Sequence, residues 1–82
     1  MGISVEISMY PLKADYKPLI LDFIARLRSH ETIMVITNEM STRIFGDFDT
    51  VMPLLTQEMK TTFQQPDTVV MVMKIIGKNL SL

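Results

Sequence analysis

The chain has 82 residues, a formal net charge of −1 and no cysteine. That length makes one domain, residues 1–82, with no room for a second core; the missing thiols exclude a disulfide staple and a thiolate metal site. The charge excludes the basic face that a nucleic-acid binder needs. No apolar run approaches the length of a bilayer span, and the opening residues do not read as a signal peptide, so a cytoplasmic protein without membrane insertion is expected.

Ile3 to Tyr10 alternates strictly. Ile3, Val5, Ile7 and Met9 share one side, and Ser4, Glu6, Ser8 and Tyr10 the other, which predicts a strand. Pro11 stops it. Asp15 is the expected N-cap of the next helix, since its carboxylate can accept amide hydrogens of the first turn, and Pro18 falls where a missing N–H costs nothing. Tyr16, Ile20, Phe23, Ile24 and Leu27 recur at helical spacing and form the buried stripe, with Asp22 and Arg26 paired at i, i+4 on the wet side. Thr32 to Thr37 predicts a second strand and Ser41 to Phe45 a third, joined by a turn at Asn38-Glu39. A second helix begins near Asp47 or Asp49. Its stripe is Phe48, Val51, Met52, Leu55, Met59 and Phe63. Pro53 is tolerable only if Asp49 is the cap or the helix bends. Thr68 to Ile76 is the last strand, and the tail after Gly77 is expected to be loose.

The order βαββαβ fits an α+β ferredoxin-like sandwich: a four-stranded antiparallel sheet with both helices on one face, and the first and third strands at its centre. Two helices cover one face only, so the other should be polar in an isolated monomer. The last strand does not comply: Val70, Val72 and Ile76 share the face that carries Lys74, while Val69, Met71, Met73 and Ile75 occupy the opposite one. The second strand is apolar on both sides as well. Strands of that kind are buried on both faces, so a homo-oligomer, dimer or tetramer, associating through the sheet is expected.

The segment Thr37-Asn38-Glu39-Met40-Ser41-Thr42-Arg43-Ile44-Phe45-Gly46-Asp47-Phe48-Asp49 packs a turn, a short strand and a helix start together. Its Met40-Ser41-Thr42 and Gly46-Asp47 resemble the corresponding segment of the YkoF-like family of thiamine and hydroxymethylpyrimidine-binding domains. The opening Ile3-Ser4-Val5-Glu6-Ile7-Ser8-Met9-Tyr10-Pro11-Leu12 is similar to that family's first strand. The resemblance implies the same sandwich, association through sheets, and non-catalytic binding of thiamine or its pyrimidine in vitamin B1 salvage, transport or sensing. Relatives in that family carry two such domains in tandem, and this chain has one. A single domain either completes the site by oligomerising or has lost it.

The candidate ligand-binding residues are Asn38, Ser41 and Thr42, with Glu6 and Ser8 from the first strand and Met40 and Tyr10 as apolar walls. A thiazolium cation is favoured by a carboxylate, an aromatic face or a polarisable sulfur. Few basic residues lie nearby, so unphosphorylated ligands are expected over the pyrophosphate. Each residue also has a structural reading. Glu6 can pair with Lys74 or Arg43 on adjacent strands, Asn38 can be a turn residue, and Ser41 and Thr42 can hydrogen-bond locally. Gly46 serves backbone geometry, and Asp47 or Asp49 caps a helix.

Catalysis is not expected. One histidine, His30, at a helix end among charges, supports no nucleophile–base set. The loop Pro11-Leu12-Lys13-Ala14 lacks a glycine-rich phosphate cradle, which argues against an acylphosphatase. Ser4, Glu6 and Ser8 stand where an RNA-binding sheet places stacking aromatics. No metal or cofactor is expected. The alternative to a vitamin binder is a ligand-free structural or regulatory oligomerisation module of the same fold.

Overall fold

The computed structural model describes residues 1–81. Chain order is β1 (Gly2–Pro11), α1 (Lys17–Arg28), β2 (Met34–Thr37), β3 (Thr42–Asp47), α2 (Phe48–Phe63) and β4 (Val69–Ile76). The strands form one four-stranded antiparallel sheet in the order β2-β3-β1-β4. This is the ferredoxin-like arrangement expected from the sequence, with β1 and β3 central.

Alternation in β1 decides what is core. Ile3, Val5 and Ile7 are buried against Ile44 of β3, Phe23 and Leu27 of α1, and Val51 and Leu55 of α2. Each such side chain contributes about 1.5–3 kcal/mol by leaving water. The helices are also tied to each other by charge. Arg26 Nε donates to Glu58 Oε1 at 3.0 Å while another guanidinium nitrogen reaches Asp22 at 2.5 Å. His30 Nε2 lies 2.8 Å from Glu58 Oε2. Arg26 therefore does more than the expected surface pairing with Asp22, and His30 is a partner of Glu58 rather than a lone residue. The His30 hydrogen bond, reinforced by Arg26 and opposed by burial, holds the Glu58 carboxyl below the usual carboxylate range.

Several local expectations are corrected. Helix α1 is capped by Tyr16, whose backbone is already helical and whose side chain makes no capping bond, and not by Asp15. Pro18 inside the first turn fixes φ and removes an amide that would need a cap. Tyr16 itself is exposed, and Ile20 and Ile24 are only half-buried. Of the two caps expected for helix α2, Asp47 is the one used, accepting from the Asp49 N–H at 3.1 Å. Pro53 then falls inside the helix, where the Asp49 carbonyl loses its i→i+4 donor. Phe48 and Phe63, expected in the apolar stripe, are 41% and 50% exposed. Strand β2 is shorter than expected because its pairing ends at Met34–Phe45, after which β3 runs into the entry to α2.

The tail is not loose through residue 80. Ser4 is buried, and its hydroxyl donates to the Lys78 carbonyl at 2.7 Å and accepts from the Leu80 N–H at 2.8 Å. Gly46 is in the sheet with negative φ. A Cβ there would lie 2.9 Å from Val51 Cγ2, so the glycine permits α2 to approach β3.

The uncovered sheet face carries Met34, Ile36, Val70, Val72 and Ile76, each more than a third exposed. Cross-strand register places Arg43, Glu6 and Lys74 in one row amid them. Among the described residues, no helix is long and apolar enough to cross a membrane.

Candidate functional site

A cavity of about 450 Å³ opens between the end of β1, the first half of α1 and the β2–β3 turn. Strand β1 contributes Ile7, Met9, Tyr10 and Pro11; α1 contributes Tyr16, Ile20 and Ile24; the turn and the start of β3 contribute Asn38 to Thr42. The cavity exists because Phe23 and Leu27 anchor α1 on the sheet while its N-terminal turns lie beyond the central packing. The volume suits a ligand of one or two rings, within the range of about 300–1,000 Å³ usual for small-molecule sites.

The turn is built by Asn38. Its Oδ1 accepts from the Met40 N–H at 2.8 Å and the Ser41 N–H at 2.9 Å, and its own N–H donates to the Ser41 carbonyl at 3.1 Å. Among the described residues no non-glycine residue has positive φ, so Asn38 works through its side-chain oxygen and not through a left-handed backbone. This braces Met40, Ser41 and Thr42 along one wall. Thr42 is buried on the core face of β3, beside Ile7 in register, and presents a small hydroxylated surface to the interior. Met40 is 84% exposed at the mouth.

Of the residues singled out from sequence, Asn38, Met40, Ser41 and Thr42 meet in this cavity. Glu6 and Ser8 do not line it; they lie on the uncovered face, because even-numbered positions of β1 point away from the helices. Glu6 still touches the site at one remove, since Ser41 Oγ donates to Glu6 Oε2 at 3.1 Å. Its other oxygen lies 3.5 Å from Lys74 Nζ, one of the cross-strand pairings considered from sequence. Arg43, the other candidate partner, forms no such pair, and its Nε is buried without a hydrogen-bond partner among the described residues. Arg43, Lys74, Phe45 and Leu80 surround a smaller depression of about 250 Å³ on that face.

Sequence reasoning missed Tyr16, Ile20, Ile24 and Glu39 as cavity residues. The three helical residues follow an i, i+4, i+8 spacing, the same signal that marks a core stripe. Glu39 reads as an ordinary turn residue. Nothing in the local pattern separates a stripe that meets the sheet from one that meets a void.

A family model, that of the YKOF-related family, matches residues 3–77. Protein SP2199 of Streptococcus pneumoniae shares the fold with a TM-score of 0.85 at 24% identity, over 98% of this chain and 90% of that one. TM0486 of Thermotoga maritima, a proposed thiamine biosynthesis or salvage protein, superposes with a TM-score of 0.85 at 17% identity, over 100% of this chain and 91% of that one. No curated protein matches the chain.

Proposed function

Because this chain belongs to the YKOF-related family, we propose that it binds thiamine or the hydroxymethylpyrimidine moiety without catalysis, in vitamin B1 salvage, transport or sensing in the cytoplasm. The observation that carries the reading is the convergence of Asn38, Met40, Ser41 and Thr42 on one cavity of about 450 Å³. The thiamine connection of the Thermotoga maritima neighbour agrees with it. An aminopyrimidine offers an amine donor and ring-nitrogen acceptors, which hydroxyl and amide side chains can match edge-on. Ile7, Ile20 and Ile24 supply flat apolar contact for its faces.

The test is thermal unfolding with and without thiamine and hydroxymethylpyrimidine at fixed protein concentration. Ligand at 100 times its Kd stabilises the native state by about 2.7 kcal/mol. In a domain of this size that raises Tm by on the order of 10 °C. A flat Tm with both compounds removes the reading.

The uncovered apolar face favours a second element of function, self-association. We propose that another copy of the chain covers Met34, Ile36, Val70, Val72 and Ile76, forming a dimer or tetramer through the sheet. Val72, 58% exposed in the isolated chain, is the probe. Val72→Asp should convert the assembly to monomer in sedimentation velocity, and an unchanged sedimentation coefficient would refute packing through this face. If the thermal test fails while this one succeeds, the chain is an oligomerisation module without a vitamin ligand.

A further inference from the structure

The cavity is electrostatically one-sided. Among its lining residues, Glu39 alone carries a formal charge near neutral pH. It stands at the mouth with Tyr16 and Met40, which are 47% and 84% exposed, whereas Ile7 and Thr42 form the buried interior. Of the basic residues nearby in sequence, Arg28 donates to Thr37 Oγ1 at 3.0 Å, Lys13 pairs with Asp67 at 3.0 Å and Arg43 belongs to the opposite face of the sheet, while the exposed Lys17 does not line the cavity. The mouth therefore joins one carboxylate, one phenol ring and a thioether, with no cation among the lining residues. A carboxylate attracts a cation directly, a phenol ring does so through its quadrupole, and a thioether through its polarisability.

We propose that this cavity selects its ligand by charge: it takes a flat heteroaromatic ring into the interior and a cationic appendage at the mouth, with Glu39 as counter-charge, and it disfavours phosphorylated forms. The inference rests on the thiamine reading and sharpens it. Thiamine carries the cation, hydroxymethylpyrimidine is the neutral ring alone, and thiamine pyrophosphate places negative charge where Glu39 stands. The ring provides binding, and the mouth provides discrimination among compounds that share the ring.

The test is calorimetric titration of all three compounds into the wild-type chain, Glu39→Gln and Glu39→Lys, at fixed protein concentration and two salt concentrations. Glu39 is exposed on a turn, so neither substitution threatens the core. Removing the charge should weaken thiamine about threefold to fivefold, the scale of a solvent-exposed charge pair, and leave hydroxymethylpyrimidine within about twofold. The thiamine loss should shrink at high salt. Glu39→Lys should bind thiamine more weakly still and the pyrophosphate more tightly than wild type. Unchanged thiamine affinity in Glu39→Gln, with hydroxymethylpyrimidine still bound, overturns the charge inference and leaves the binding function standing. Failure of all three compounds to bind the wild-type chain overturns both.

Discussion

Asn38 offers the sharpest separation of scaffold from ligand contact. Its Oδ1 holds two backbone amides, at 2.8 and 2.9 Å, and those amides belong to Met40 and Ser41 of the cavity wall. Asn38→Ala deletes both bonds. Each intramolecular hydrogen bond contributes about 0.5–1.5 kcal/mol net, and these are exposed, so the loss should be about 1–2 kcal/mol. At roughly 4–8 °C per kcal/mol for a domain of this size, Tm should fall by on the order of 10 °C. Ligand affinity should fall too, because the wall from Met40 to Thr42 loses its brace. Asn38→Asp keeps an oxygen in the same place, loses the side-chain amide hydrogens and adds a negative charge beside Glu39. It should melt within about 2 °C of wild type and, if Asn38 acts through the turn, bind thiamine at least as tightly as wild type. The assays are thermal unfolding by circular dichroism and calorimetric titration. An alanine variant that melts with wild type would refute the bracing role, and an aspartate variant that is stable but no longer binds would make the Asn38 amide a direct ligand contact.

Glu6→Gln should leave thiamine affinity within about threefold, since Glu6 reaches the cavity only through the Ser41 hydroxyl and its pairing with Lys74 is an exposed one; a tenfold loss in titration would place its carboxylate in the site. Gly46→Ala should cost about 1–3 kcal/mol in chemical unfolding, because its methyl would meet Val51 Cγ2 at 2.9 Å. Val51→Ala in the same chain should recover part of that loss, and a purely additive double variant argues against the steric account. Glu58 supplies a pH dependence. Its folded pKa lies below the ordinary value, so the stabilisation is present above the unfolded carboxylate pKa and is lost as pH falls through the lower folded one. Acid titration of Tm should therefore lose part of its slope in Glu58→Gln relative to wild type, and identical slopes would contradict the depressed pKa.

The sandwich was legible because β1 alternates without a break and because the two helices carry stripes of period 3.6, signals that local chemistry alone determines. Element ends were less legible. Asp15 has the right chemistry for a cap, but Tyr16 is already helical, and the rigid ring of Pro18 makes a side-chain cap dispensable. Sequence shows which residues can cap, whereas the meeting of helix and sheet decides which one does. Asp47 illustrates the same point from the other side, since its place at the end of β3 makes it the cap and pushes Pro53 into the helix.

The site was half legible for a related reason. Asn38, Met40, Ser41 and Thr42 fall within five consecutive residues, so wherever the turn goes they go together, and a local segment sufficed to find them. Glu6 and Ser8 were joined to them by strand adjacency, which is correct: β1 and β3 are neighbours, and Ser41 does reach Glu6. Adjacency does not fix the face, however. Thr42 shares the helix-side face with Ile7, its register partner, so Glu6, one residue earlier on β1, must project to the opposite side. A sheet one residue thick separates them, and only the Ser41 side chain at the strand end bridges the two sides. Tyr16, Ile20 and Ile24 complete the cavity from a helix whose stripe looks uniform in sequence. The stripe divides in space, with Phe23 and Leu27 closing on the sheet and the others facing the void. A cavity is a mismatch between two surfaces, and neither surface encodes it alone.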